Sequence, residues 1–204
     1  MKVNLLHTSP WDLVMMAART CYDSLAASDF MGEKDVNLLK RLAKAKPKHK
    51  SVFEHKTFTF ELVGYSRSVL QELSRHRHQS LSVQSTRYTL KKLKDCETAG
   101  DYCRFLVPDD EGFIWPKEIE MLQEIKKALL DGYSNDLVKR RIPESFSVKS
   151  VNTFNFSSLM NLLELRDSDL AYPEFRKLVQ NIRDVIYKQD ELTRVIVEAW
   201  ENNE

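Results

Sequence analysis

Glycine is scarce in this chain and never clustered. Gly32, Gly64, Gly100, Gly112 and Gly132 stand far apart in 204 residues. No Gly-x-Gly-x-x-Gly turn and no phosphate loop can be assembled from them, which excludes the usual dinucleotide-binding fold and a P-loop. Cysteine is as sparse: Cys21, Cys96 and Cys103 are an odd count without metal-ligand spacing. They read as thiols in a reducing cytoplasm. There is no His-Glu-x-x-His segment, and no metal site is expected. No apolar run approaches the ~20 residues of a membrane span. Met1–His7 turns polar too early for a signal peptide. Repeats, low-complexity tracts and linkers rich in Pro, Gly or Ser are missing as well.

What is present suits one domain over residues 1–204, long enough to bury roughly 70% of its unfolded surface. Apolar residues make up 42% and charged residues 30%, with a net charge of +1. Such a balance is no general attractant for nucleic acid. The charge is unevenly placed, however. Leu73–Lys94 contains Arg75, Arg77, Arg87, Lys91, Lys92 and Lys94 and no acid. A local basic strip on a near-neutral protein points to a small anion rather than a long polyanion.

Periodicity predicts mixed helices and strands. Ser9, Pro10 and Asp12 predict a helix start, with Ser9 capping and Pro10 at the first position, running to about Cys21. Val36, Leu39 and Leu42 predict a helix over 35–46, stopped by Pro47. Thr57–Leu62 alternates and predicts a strand with Phe58, Phe60 and Leu62 inward. Ser66–Ser74 predicts a helix. Pro116–Leu130 predicts a long helix ended by Gly132, and Asn135–Arg141 a short one. Ser145–Phe156 predicts one or two strands, Ser158–Leu165 a helix, and Pro173 opens a last long helix with Phe175, Leu178, Val179, Ile182 and Ile186 inward. The fold class is α/β or α+β.

The informative stretch is Arg75-His76-Arg77-His78-Gln79-Ser80-Leu81-Ser82-Val83-Gln84-Ser85-Thr86-Arg87-Tyr88. Its chemistry is anion recognition: three guanidinium forks and the hydroxyls of Ser80, Ser82, Ser85 and Thr86. If Arg75–His78 is extended, arginines point one way and histidines the other. A solvated basic loop or basic edge strand is the plain alternative. It is weakened because arginines and hydroxyls persist for fourteen residues with no acid to pair them.

This stretch resembles the signature of flavin-dependent thymidylate synthases, the ThyX family: Arg-His-Arg-x-x-Ser-x-Asn-x-x-Ser-x-Arg-Tyr. Arg75, His76, Arg77, Ser80, Ser85, Arg87 and Tyr88 match. Ser82 departs from the family's Asn, Val83 from a common Glu, and Glu72 from the usual Gln. His49–His55 resembles the family's His-x-Ser/Thr-x-x-Glu-His, which precedes an aromatic strand. Asn155–Arg166 resembles Asn-x-Arg-x-x-x-Asn-x-x-x-x-Arg, with Ser157 in place of the Arg. Lys139, beside Arg140, stands where the family has an Arg for dUMP.

The resemblance implies a central, mainly antiparallel sheet flanked by helices, and a homotetramer with FAD at subunit interfaces. It implies reductive methylation of dUMP to dTMP, with methylenetetrahydrofolate as carbon donor and hydride from NADPH carried by FAD. Flavin-facing positions carry over to Ser51, Arg75, His76, Arg77, Val83, Asn155, Ser157 and Asn161. Positions for dUMP carry over to Glu72, Arg75, Gln84, Ser85, Thr86, Arg87, Lys139 and Arg166. Arg166 and Ser85 are the catalytic candidates: Arg166 to polarise the uracil, Ser85 to position dUMP. The alternatives are a nucleic-acid-binding module on the basic strip, a metal hydrolase on His76-x-His78 with His49 and His55, and a catalytically dead relative. Neighbouring Arg75 and Arg77 would repel a metal cation, and His55 reads as structural. No cysteine is expected to act as nucleophile.

Overall fold

The computed structural model describes residues 1–21 and 32–201. In chain order the elements are β1 (Lys2–Thr8), α1 (Asp12–Cys21), α2 (Glu33–Lys44), α3 (Lys50–Phe53), β2 (Thr57–Ser66), α4 (Arg67–Leu73), β3 (Gln79–Val83) and α5 (Thr86–Thr89). A 3-10 turn at Leu90–Asp95 leads to α6 (Ala99–Cys103), α7 (Pro116–Leu130) and α8 (Asn135–Val138), which ends in a 3-10 turn at Lys139–Arg141. Then follow β4 (Ser147–Asn155), α9 (Phe156–Arg166), α10 (Pro173–Tyr187) and α11 (Glu191–Glu201). The strands form one antiparallel sheet in the order β1-β2-β4-β3, which makes β3, the strand inside the basic strip, an edge strand.

The chain divides into two compact units. The first comprises Met1–Lys2, Leu62–Arg75 and Leu81–Val151. Its core is mainly aliphatic. Leu90 and Leu93 from the 3-10 turn, and Leu122, Ile125 and Leu129 from α7, meet Tyr102, Leu106 and Phe146. Pro116 opens α7 as expected, and the chain turns out after Asp131 at Gly132, whose φ of 91° suits a residue without Cβ. The second unit comprises Val3–Glu61, His76–Ser80 and Asn152–Glu204. Its core is aromatic. Trp11, Phe53, Phe156 and Trp200 meet edge-on or tilted, with centroids 5.2–6.5 Å apart, the geometry favoured by ring quadrupoles. The Trp11 indole N–H donates to Thr193 Oγ1 at 3.0 Å, and Thr193 donates in turn to Asp190 at 2.7 Å. Lys56 is buried over the Trp11 and Phe58 rings, and burial lowers its pKa to about 8.

Several expectations need correction. Ser9 does not cap α1. Its hydroxyl accepts from Thr57 N–H and donates to His55 C=O, so it serves the entry to β2 and the helix starts at Asp12. Helix α2 starts two residues early at Glu33 and leaves the helical path at Ala45, ahead of Pro47. Asp35 is buried there with Arg19, at 2.6 Å. Ser145–Phe156 gives one strand, β4. Strands β1 and helix α11 were not anticipated from the sequence, although Thr193, Ile196, Val197 and Trp200 of α11 are buried at helical spacing. Cys21, the last residue of α1, is exposed.

Candidate active site

The segment Arg75–His78 is a turn, not an extended strand. After α4 the Arg75 N–H donates to the Glu72 carbonyl at 3.1 Å, and His78 takes a positive φ of 63° before β3 begins at Gln79. An alternation of faces therefore does not arise. His76 alone turns inward and is half-buried; Arg75, Arg77 and His78 are exposed. Two amides hold the turn. Asn152, fully buried on β4, donates to Gln79 Oε1 at 3.0 Å, and the Gln79 amide donates to the His76 carbonyl at 2.9 Å.

Arg166 reaches the same turn from the end of α9. Its Nε donates to His76 Nε2 at 3.0 Å, and its Cζ lies 5.1 Å from the centre of the Phe175 ring. An acceptor Nε2 requires a neutral imidazole. Burial first, and then the Arg166 charge, lower the His76 pKa and favour that state. Earlier on α9 the Asn155 carboxamide caps the helix, accepting from Ser158 N–H at 2.7 Å. Ser157 is 8% exposed, whereas Asn161 is exposed. Ser51 is exposed on α3, in the wall of a cleft of about 550 Å³ that also includes Leu13, Met16, Cys21, Val52 and His55. All these residues belong to the second unit.

The first unit holds a different group. Glu72 and Arg75 line a cleft of about 650 Å³ with Ser68, Gln71 and Glu144, where Gln71 donates to Glu144 at 2.8 Å. Val83 and Ser82 are exposed at the end of β3, and the Gln84 N–H returns to Lys149 C=O at 2.8 Å. Exposed Ser85 precedes α5, its carbonyl accepting from Tyr88 and Thr89, while Thr86 is half-buried in the first turn. Arg87 Nε and Lys139 Nζ both donate to Asp136 Oδ1, at 2.9 and 2.8 Å. The Lys139 bond, with help from Arg87, lowers the Asp136 pKa. Asn135 donates to the Arg87 carbonyl.

A family model described as thymidylate synthase complementing protein matches residues 4–190. The chain belongs to the flavin-dependent thymidylate synthase family. A flavin-dependent thymidylate synthase of Wolinella succinogenes is 40% identical over 194 residues, spanning 93% of this chain and 95% of that protein. One from Campylobacter jejuni is 37% identical over 191 residues, 91% of this chain and 92% of that protein. A crystal structure of ThyX from Helicobacter pylori with FAD and dUMP superposes with a TM-score of 0.85 at 34% identity, covering 98% of this chain and all (100%) of that one.

Within this family frame the expected residues sort by unit. Ser51, His76, Arg77, Asn155, Ser157 and Asn161 of the expected flavin set lie in the second unit. Glu72, Gln84, Ser85, Thr86, Arg87 and Lys139 of the expected dUMP set lie in the first. Arg75, shared by both sets, and Val83 lie in the first unit, and Arg166 in the second. Sequence reasoning missed Asp136, Gln79 and Asn152 as supports and placed Phe175 only in the core. Asn152 had a signal: it occupies the inward phase of β4 between Ser150 and Phe154, where a polar side chain needs a partner. Asp136 had none, because no spacing rule links it to Arg87.

Proposed function

We infer that this chain makes dTMP from dUMP, taking the methylene carbon from methylenetetrahydrofolate and hydride from NADPH by way of FAD. The observation that carries this reading is Arg166 held against the Arg75-His76-Arg77 turn, in a chain matched along nearly its whole length by flavin-dependent thymidylate synthases. FAD, when bound, supplies the hydride. The residues present fit such a group. The cleft beside Ser51 has apolar walls from Leu13, Met16 and Val52 with a hydroxyl and an imidazole at its edge, which suits a flat apolar ring with polar rims. Ser51, Arg75, His76, Arg77, Val83, Asn155, Ser157 and Asn161 would hold it.

The chain's own work is placement and electrostatics. Arg87 and Lys139 bind the dUMP phosphate; Arg87 is exposed and Lys139 partly so, and a dianion outcompetes the single Asp136 carboxylate they now share. Glu72, Gln84, Ser85 and Thr86 orient the nucleotide. Arg166 faces the uracil and stabilises the negative charge that develops on the ring, as a fixed donor should. Arginine is suited to this because it stays protonated and presents a planar fork. Ser85 positions and does not attack, since an unactivated hydroxyl without an adjacent base is a poor nucleophile.

We place the chain in the cytoplasm as one functional domain over 1–204, assembled into a homotetramer with FAD at subunit interfaces. No observation favours the nucleic-acid alternative. Among the described residues there is no cluster able to hold a metal ion, and no helix is long and apolar enough to cross a membrane. The test is dTMP formation from dUMP with FAD, NADPH and methylenetetrahydrofolate, run beside flavin absorbance and light scattering. A yellow tetramer that turns over dUMP is expected; a colourless monomer with added FAD overturns the reading.

A further inference from the structure

Phe175 has a simple assignment from sequence: it is an inward residue in the first turn of α10, two positions after Pro173. The structure gives its ring a second task. The ring is fully buried. One side meets the His76 ring edge-on, with centroids 5.9 Å apart and planes at 81°. The Arg166 Cζ stands 5.1 Å from the same centroid. The third side of the triangle is the 3.0 Å bond from Arg166 Nε to His76 Nε2. Three separate segments therefore converge on one guanidinium: the turn after α4, the end of α9 and the start of α10.

Each contact constrains a different freedom. The hydrogen bond fixes the direction of Nε–H, and it uses Nε rather than either terminal nitrogen. The ring face attracts the cation through its quadrupole and limits how the guanidinium plane can tilt. The edge contact fixes the imidazole that accepts the bond. His76 is in turn anchored through its carbonyl by Gln79, and Gln79 by buried Asn152. Without the ring, Arg166 would keep its charge and the Nε bond to His76 but lose the aromatic surface that orients its plane.

We propose that Phe175 is a positioning residue for the reaction, fixing with His76 the plane of the Arg166 guanidinium that faces the uracil. This rests on the role of Arg166 inferred above. Phe175 touches neither substrate nor flavin in this account; it acts through Arg166. The role differs from core filling, because a core filler needs only volume, whereas a positioner needs an aromatic face.

The experiment is a double-mutant cycle in the FAD-loaded protein. Phe175→Leu keeps an apolar side chain and removes the face. Its kcat for dTMP formation should fall about tenfold, the scale of a partly desolvated cation–ring contact, with a smaller change in KM for dUMP. In an Arg166→Ala background the same change should cost nothing further, because the residue it positions is gone. A pentafluorophenylalanine at 175 keeps ring shape and reverses the quadrupole, so it should reproduce the Leu defect even if Phe175→Leu folds poorly. Independently of turnover, nitrogen NMR of histidine-labelled protein should show His76 Nε2 accepting a hydrogen bond, weakened in either variant. An equal fall in both backgrounds, or unchanged kcat with the fluorinated ring, overturns the proposal while leaving Arg166 in place. Near-normal turnover in Arg166→Ala alone removes Arg166 from the reaction and the proposal with it; that single variant tells the two failures apart.

Discussion

Arg166 and Arg87 are both arginines expected at the nucleotide, yet they are held in opposite ways. Arg166 is half-buried, bonded to a neutral imidazole and laid on a buried ring. Arg87 is 64% exposed in its side chain and paired, with Lys139, to an Asp136 that is itself 49% exposed. Exposed ion pairs are screened by water and hold their partners weakly, so Asp136 pairs with its two cations without fixing them. One corner of the molecule has its cation built in before any ligand arrives. The other keeps two cations together on one carboxylate, a pairing that an anion binding them more strongly would displace. A charge meant to stabilise a transition state benefits from the first arrangement; a charge meant to capture phosphate is served by the second.

The largest effect that would break this contrast is on Arg166. Arg166→Ala should retain FAD and lose ~10²–10³ in turnover, by the scale of one lost oxyanion donor. Arg166→Lys should recover only part, because a point charge cannot repeat the Nε bond and the planar contact together. Steady-state kinetics on the yellow protein decides it, and near-normal turnover in Arg166→Ala would leave the two corners alike.

Changes at the other corner should be smaller and should appear in binding. Arg87→Ala or Lys139→Ala each removes a charge-assisted contact, raising KM for dUMP roughly tenfold to a hundredfold with kcat largely kept. Asp136→Asn should act in the opposite direction. It releases both cations, and KM should fall by about two- to fivefold, the scale of an exposed pair. A higher KM in Asp136→Asn would mean that Asp136 shapes the site rather than holding its cations in reserve.

The corners should also separate on acidification. His76 has a lowered pKa, from burial and then from Arg166. The unfolded chain therefore takes up this proton first, near the ordinary imidazole value of about 6.5. Stability from neutral His76 is complete above that value and is lost as the pH falls toward the lower folded one. Protonation of the folded protein also removes the acceptor for Arg166, so kcat should drop as the pH falls through the lowered folded value, at the acid end of that window. His76→Gln, whose amide oxygen accepts at any pH, should flatten that limb in a kcat–pH profile. Asp136 has the carboxylate sign: lowered by Lys139 and Arg87, it contributes above the unfolded carboxylate value and loses that contribution only as pH falls through its folded one. An acid limb that survives unchanged in His76→Gln would remove His76 from this account.

The legible parts of the molecule were those governed by local rules. Pro116, Gly132 and Pro173 mark helix boundaries because φ restriction and positive φ act within a few residues, and α7 and α10 start where those prolines stand. The motif residues were legible through resemblance. What escaped was long-range pairing. The basic strip has no acid of its own, yet Arg87 meets Asp136, far along the chain. Ser9 looked like a cap because Ser-Pro is a good local start, but its hydroxyl is better satisfied by the backbone at His55 and Thr57. Arginines and histidines of Arg75–His78 would face opposite ways only in an extended segment, whereas the end of α4 and the left-handed His78 make a turn.

The smallest expected effect concerns the thiols, and it tests whether either corner hides a nucleophile. Cys96 is buried in the first unit, where burial and then Asp101 raise its pKa. A raised thiol pKa leaves little thiolate at neutral pH, and the thiolate is the reactive form. Cys103, in α6, is only partly exposed and lies outside every matched motif. Cys21 is the case that matters, because it is exposed and lines the same cleft as Ser51. If that cleft receives the flavin, Cys21 is a wall residue there, in the same unit as Ser51, whereas Arg87 and Lys139 belong to the other unit. Cys21→Ser should therefore change FAD affinity by a few-fold at most and leave kcat intact once FAD saturates. A triple variant with Cys21→Ser, Cys96→Ala and Cys103→Ser should turn over dUMP within about twofold of the parent; alanine at 96 avoids burying a new hydroxyl. Mass spectrometry after quenching should find no uracil adduct on any of the three, nor on Ser85. Abolished turnover in a folded, flavin-loaded triple variant would replace the electrostatic mechanism at Arg166 with a covalent one.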